Sequence, residues 1–354
     1  MDRRNFVKAG IALAGSSTFY SCKTQEKQKL KLGFDNFSIR AMGWKAPQLL
    51  KYASEQNVDT VLFSDLRVYE SHEESYLKEI KAQADELGIE IQAGTEGICP
   101  TSGSFKDTYG TAEQHLALAI RIARTLGSKV VRCYQGSARD RKSPGGLKPH
   151  IEATIKTCKN VKSLALNSGI KIAIENHAGD MAAYQLKELI EKAGPDFVGA
   201  TIDSGNATWT LDAPLRNLEI LAPYVVCSGI RDTMMWDDGK GIRAHWTAMG
   251  DGVVDWKTYF AKWDQLCPNA PVQLEIISPY GKFFPHEDEK FWKDYQDIRK
   301  VDYDAYKKLA MKGRKIDIPD VKGQEAQQKY QLSELERSIK FCQNVLGLGR
   351  KTTG

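Results

Sequence analysis

From about residue 30 the chain alternates short apolar runs, each ending in polar residues, with longer stretches of helical period, many closed by glycine. "LKLGFDNF" precedes "APQLLKYASEQN", and "DTVLFSD" precedes "ESYLKEIKAQADELG". "IEIQAGTE", "KVVRCYQG", "KIAIENH", "VGATIDSGN" and "YVVCSGIRD" each lead into a similar amphipathic stretch, and "VQLEIIS" comes before the last one, "LSELERSIKFCQNVLGL". Roughly eight strand–helix units over residues 30–348 predict a single α/β domain, a (β/α)8 barrel with parallel strands. The alternative, a doubly wound open sheet, usually carries a glycine-rich phosphate turn after its first strand; "FDNFSIRAMGW" is not one. Two segments break the rhythm. One runs from Thr233 to Val253. The other, residues 279–328, follows the eighth strand, and its "EDEKFWKDYQDIRKVDYDAYKKLAMKG" predicts helix. Segments after barrel strands lie on the catalytic face, so the second is expected to cover the site; the alternative is an exposed decoration.

Side chains alternate between the two faces of a strand. In the fifth strand Ile172 and Ile174 share one face, and Ala173, Glu175 and His177 share the other. The branched pair suits packing under helices, which points the second set into the barrel. By the same rule Thr201 and Asp203 face in on the sixth strand, Gln273 and Glu275 on the eighth, Arg132 and Tyr134 on the fourth, and Gly33 and Asp35 on the first. Asn176 points away from the mouth and is expected to tie down the loop. Glu175, Asp203 and Glu275 therefore converge at the C-terminal mouth. Three like charges in a partly desolvated site require relief. A raised pKa, a divalent cation, or ion pairs with Arg132 or Arg231 would each supply it.

Composition changes this picture little. The chain of 354 residues is 42% hydrophobic and 27% charged, with a formal charge of +5, ordinary for a protein with a real core. Part of the excess sits in Arg3, Arg4 and Lys8, so no nucleic-acid footprint emerges. The start, "MDRRNFVKAGIALAGSSTFYSC", joins a basic opening to an apolar run too short to span a bilayer. It resembles a twin-arginine export signal over residues 1–21, with a possible lipobox ending at Cys22 and a linker over residues 22–29. The expected location is the periplasm, free or membrane-anchored through a lipid on Cys22. The seven cysteines form no CxxC pair, and Cys133 and Cys227 read as packing residues.

Glu in "IAIENH", Asp in "ATIDSGN", "IRD" after the seventh strand, the "MGDGVVDW" turn and Glu in "QLEI" together resemble the xylose isomerase-like TIM barrel superfamily across about residues 30–348. That group includes sugar phosphate isomerase/epimerase-type proteins, ketose 3-epimerases, inosose dehydratases and the catalytic subunits of C-glycoside deglycosidases. The resemblance implies a divalent ion (Mn, Mg, Co or Zn) held by Glu, Asp, His and a second Glu. Glu175, Asp203 and Glu275 carry over. The imidazole does not: Gly229 stands just before "IRD", and Asn206 stands three residues after Asp203, where His is also common. His245 in "IRAHWTAMGDG" is the nearby candidate for the vacated ligand position; a substrate-contacting or surface role, water in that position, or loss of the metal are the alternatives.

Such a site would remove a proton next to a sugar carbonyl through a metal-held enediolate. Returning the proton gives an epimer or an isomer; expelling a β-oxygen gives elimination, whose reverse is hydration. Glu175 and Glu275 are expected as ligands and as the facing acid–base pair, with Asp203 a ligand only. His177 is expected in substrate binding, in acid–base work or among the metal ligands, with a satisfied core histidine as the alternative. Arg132, Arg231 and Asp35 are expected to contact substrate polar groups, and Tyr134, Trp246 and Trp44 to offer faces to a sugar ring. Export favours a neutral or oxidised sugar, such as a keto-glycoside from a partner sugar dehydrogenase, over a sugar phosphate. A lyase or hydratase is therefore a rival to the isomerase/epimerase, and a non-catalytic sugar-binding barrel is the alternative from another class.

Overall fold

The computed structural model describes residues 29–350. The expected export signal, Cys22 and the rest of the expected linker before residue 29 lie outside the described residues. The barrel strands are β1 (Leu32–Asp35), β2 (Thr60–Phe63), β3 (Glu90–Gly97), β4 (Val130–Tyr134), β5 (Lys171–Glu175), β6 (Val198–Asp203) and β7 (Val225–Gly229). After a ribbon formed by β8 (Asp232–Asp237) and β9 (Ile242–Thr247), the eighth barrel strand is β10 (Val272–Leu274); β11 (Gly281–Phe284) then joins the ribbon. The barrel order is β10-β1-β2-β3-β4-β5-β6-β7, all parallel. The remaining seam is narrow: Ile230 bridges Leu274, its amide donates to the Gln273 carbonyl at 2.7 Å, and the Glu275 amide donates back to Ile230 at 3.0 Å. Helices fill the connections, so the chain is the (β/α)8 barrel its pattern predicts.

The period-two reading sorts the faces correctly. Ile172, Ile174, Ala200, Ile202, Leu274 and Ile276 lie in the main core beneath the helices. The inward positions build two layers. Low in the barrel, Leu62, Val130, Ala173 and Cys227 cluster, beside a polar triad in which the Gln273 amide donates to Thr60 Oγ1 (2.9 Å) and Gln92 Oε1 (3.1 Å). Above them, at the C-terminal ends, stand the charged residues of the mouth. The six described cysteines are free and buried, as expected of packing residues. Among the described residues no helix is long and apolar enough to cross a membrane.

A cap lies over the mouth, and here the structure corrects the expected helix. Only Lys300–Ala310 of residues 287–313 is α-helical, after a short 3-10 turn at Phe291–Asp294. Ahead of that turn, side chains bend the chain locally, as where Asp288 accepts the Lys290 amide at 2.9 Å. The segment from Thr233 to Val253 is mostly an antiparallel hairpin, with Met234 opposite His245, and β11 pairs with β9 on its other side. "DDGK" at its tip is a turn signal between apolar strands. Trp209, Leu211, Met235, Ile242, Ala244, Trp246, Ile277, Phe284, Tyr295 and Tyr306 form a second core where ribbon, helix and barrel loops meet.

Candidate active site at the barrel mouth

Parallel pairing sets Glu175 beside Thr201 and Asp203 beside Gly229, which levels the strand ends. Asn176 then locks β5 to β6: its Nδ2 donates to the Asp203 carbonyl at 2.8 Å and its Oδ1 accepts the Asp203 amide at 2.9 Å. Its outward direction predicts a tie to the loop; the partner is instead the last residue of β6. One carboxylate oxygen from each of Glu175, Asp203 and Glu275 lies within 4.8 Å of the others, a group that could hold a metal ion. All three are almost fully buried, at 1%, 0% and 4% exposure.

Buried carboxylates need partners, and two arginines and an amide provide them. Arg132 pairs with Glu175. Arg231 places Nη2 between Asp203 and Glu275, 2.9 Å from Glu275 Oε2 and in contact with Asp203 Oδ2, while its Nε is 3.3 Å from Asp203 Oδ1. Asn206 Nδ2 donates to Glu175 Oε1 (2.9 Å) and Asp203 Oδ2 (2.7 Å), and its backbone amide caps Asp203 Oδ1 at 2.7 Å. The amide thus sits among the carboxylates at the position where the family resemblance leads one to expect an imidazole. Asp35, on the first strand, accepts from Phe37 N at 2.8 Å and from the Ser64 hydroxyl, leaving Oδ2 buried without a partner. Arg231 Nη1 and Asn206 Oδ1 are also buried and unpartnered.

These surroundings shift the acids. Burial, then the nearby Glu275 charge, pushes Asp35 up to about 8. Burial raises Glu175 to about 7, against the pull of Arg132. A carboxyl near neutrality can both accept and return a proton at physiological pH. His177 moves the other way, down to about 3, through burial and then the Arg132 charge. Its Nδ1 is 2.7 Å from the Gly136 carbonyl oxygen. A carbonyl only accepts, so the proton sits on Nδ1 and Nε2 is left as an acceptor. The ring stacks on Tyr134 with centroids 3.8 Å apart, and Arg132 lies over Tyr134 at 5.2 Å.

The opposite wall is a stacked column. Trp209 and Trp246 lie face to face at 3.8 Å. Arg231 sits over Trp246 at 4.2 Å and Lys282 Nζ over Trp209 at 3.9 Å. The stacked faces leave no room for a cation, so each charge occupies an outer face. Lys282 also donates to the Ala178 carbonyl at 3.2 Å, joining the cap to the loop after β5. Burial, then Arg141, lowers its ammonium to about 8. Trp209 and Lys282 were not anticipated. Trp209, six residues after Asp203 in "DSGNATW", had a legible signal; Lys282 depends on the unanticipated ribbon.

His245 is not brought to the carboxylates. On β9 it neighbours Trp246, and neighbouring strand residues face opposite ways. Trp246 takes the inward face with Ala244, whereas His245 stacks on Trp236 at 5.2 Å and lies against Gly281. Trp44 is also elsewhere, packed on Tyr52 at 5.3 Å. Asp232 of "IRD" acts structurally. It accepts the amides of Gly250 (3.1 Å) and Gly252 (3.0 Å) and the Trp256 indole N–H (2.7 Å), which shapes the "MGDGVVDW" turn. A cavity of about 620 Å³ beneath the cap's far edge, lined by Arg141, Tyr184 and Asp297 among others, includes none of the mouth carboxylates. The mouth itself is closed over.

The family described as "Xylose isomerase-like TIM barrel" matches residues 39–294, well over half of the chain. No curated protein matches the sequence. Among solved structures, D-psicose 3-epimerase in the presence of D-fructose is similar with a TM-score of 0.59 at 14% identity, covering 90% of this chain and 100% of that one. A xylose isomerase domain protein from Planctomyces limnophilus gives 0.52 at 19%, over 74% and 93%. A 3-keto-D-glucoside 4-epimerase from E. coli gives 0.52 at 14%, over 76% and 98%. At these identities the structural likeness shows a shared fold, and with the family match it leads to one conclusion: the chain belongs to the xylose isomerase-like TIM barrel family.

Proposed function

We propose that this barrel is a divalent-cation-dependent carbohydrate enzyme of the isomerase/epimerase type, which moves a proton at the carbon next to a sugar carbonyl. The observation that carries this reading is the buried convergence of Glu175, Asp203 and Glu275 beneath aromatic walls. The donor set is all oxygen, which suits a hard cation such as Mg or Mn better than Zn. Unpartnered oxygens at Asp35 Oδ2 and Asn206 Oδ1 add polar capacity around it. Glu175, Asp203 and Glu275 would hold the ion; when bound, it polarises the carbonyl and the adjacent hydroxyl.

The chain's own residues do the rest. Glu175 takes the proton from one side of the substrate carbon, and a second proton, carried by Glu275, is delivered from the other. Arg231 Nη1, a buried donor without a partner, is available to an oxyanion. His177 accepts a hydroxyl at Nε2. Tyr134, Trp209 and Trp246 form the aromatic walls of the mouth and exclude water. The cap has to open for entry, because the five charged groups closing the mouth are at most 5% exposed.

The substrate we favour is an oxidised glycoside met in the periplasm, with the protein free or anchored through Cys22. The signal-like residues 1–21 support export, and one protein of the same fold is named for a 3-keto-D-glucoside. On such a substrate the same carbanion can expel a β-oxygen, so lyase or hydratase chemistry is the second reading, with a sugar dehydrogenase as the supplier. Incubation with ketoses and 3-keto-glycosides in the presence of Mn2+, followed by NMR, separates the readings. An inverted or moved carbonyl-adjacent centre supports epimerisation or isomerisation. An unsaturated or hydrated sugar supports the lyase. Binding without turnover across the panel leaves a sugar-binding barrel and overturns both.

A further inference from the structure

Arg231 is unusual among the mouth residues. It is 1% exposed, and one of its nitrogens, Nη2, reaches two of the three carboxylates in the candidate cation group. The amine carries two hydrogens, so both are committed, one to Asp203 and one to Glu275. The space it enters is opened by Gly229, two residues earlier on the same face. A Cβ at position 229 would stand 2.9 Å from Glu275 Oε2 and 3.3 Å from Asp203 Oδ2, the same two oxygens that Nη2 reaches. A glycine therefore leaves those oxygens open to the guanidinium. The indole of Trp246, backed by Trp209 and Lys282, presses on the guanidinium from the other side. The positive charge on Arg231 thus lies on one oxygen of each of two carboxylates in the candidate cation group.

We propose that Arg231 and a divalent cation are mutually exclusive partners of Asp203 and Glu275, so that the guanidinium is a resident competitor which must leave before the ion binds. Two cations cannot share those oxygens: their mutual repulsion in a buried site is large, and a carboxylate oxygen already accepting two hydrogen bonds has little lone-pair density left. Asp203 Oδ2 accepts from both Arg231 and Asn206. A displaced Arg231 would keep its place against Trp246 and turn its nitrogens to the substrate.

This inference rests on reading the acidic group as a cation site, and the test separates the two. Mn2+ binding to the full chain is titrated by EPR for wild type, Arg231→Leu and Arg231→Lys, with melting temperature followed against Mn2+ concentration. Competition predicts that Arg231→Leu binds Mn2+ at least tenfold more tightly than wild type and gains more in melting temperature from the ion. Arg231→Lys, which keeps the charge but loses the second contact that Nε makes with Asp203, falls between them; it carries the test if Arg231→Leu fails to fold. Wild type that binds Mn2+ as tightly as both variants, or more tightly, overturns the competition alone. No Mn2+ binding by any of the three overturns the cation site as well.

Discussion

The barrel and its cap bury apolar surface in different ways. Around the barrel the core is mainly branched and aliphatic, with Ile172, Ile174, Ile202, Leu218 and Leu274 among its fully buried members. In the cap it is largely aromatic, with Trp209, Trp246, Phe284, Tyr295 and Tyr306. Aliphatic residues on a closed ring of parallel strands fix one another at near-crystal density and carry no polar atoms. The cap's rings carry polar handles, and Trp209 Nε1, Trp246 Nε1 and Tyr306 Oη are buried without partners, a cost the barrel's aliphatic side chains do not bear. The two regions therefore suit different roles. The barrel holds carboxylates at fixed separations. The cap closes a polar space and is the region expected to open first.

The sharpest way to break this contrast is through the charges. Arg132→Leu strands Glu175 in the barrel interior without its cation, and urea unfolding should show a loss of about 3–5 kcal/mol. A loss below about 1 kcal/mol would mean that the mouth is far wetter than its burial implies. In the cap, Phe284→Ala should remove about 3 kcal/mol of packing, but locally. Hydrogen exchange should quicken at Gly281–Phe284 and Lys300–Ala310 while the amides of β4 to β6 keep their protection. Equal acceleration in both regions would merge cap and barrel into one cooperative unit.

Acid provides a gentler probe of the barrel side. The folded His177 ring stays neutral down to about pH 3, whereas in the unfolded chain it protonates near its ordinary value of about 6.5. Protons are taken up on unfolding between those limits, so this group lowers stability as the pH falls through that window. His177→Phe, which keeps a ring against Tyr134, should lose up to about 1.4 kcal/mol less than wild type per pH unit below 6.5. Parallel pH–stability curves would contradict the buried neutral tautomer. The smallest effect is expected at the column's outer end. Lys282→Met should cost about 1 kcal/mol or less overall, yet speed exchange at β11 by loosening its tie to Ala178 and Trp209.

The same contrast governs how much could be read without coordinates. Barrel strands announce themselves because alternation is local: Ile172 and Ile174 against Glu175, or Ile202 against Asp203, fix a face from residues two apart. The same alternation puts Arg132, Glu175, Asp203 and Glu275 together at the mouth. Cap residues meet through long-range packing, and no short window reveals that Lys282 lies on Trp209. Where the cap does contain strands, their alternation carries the same information. Read as a strand, "IRAHWT" cannot aim both His245 and Trp246 inward, and the indole's packing with Ala244 decides the direction. Similarly, "FWKDYQDIRKVDYDAY" has a helical spacing of rings, but the rings of Phe291, Trp292 and Tyr303 pack on one another, and only its second half forms a helix.

The function proposed above has the buried acids move a proton on a carbon next to a carbonyl. It is tested most directly in deuterated water, with the protein, Mn2+ and a panel of ketoses and 3-keto-glycosides. Wild type should place solvent deuterium at the carbonyl-adjacent carbon of at least one substrate, and Glu175→Gln, still folded and still binding that sugar, should do so at least a hundredfold more slowly. No deuterium from wild type across the panel, or equal incorporation by Glu175→Gln, would contradict the account.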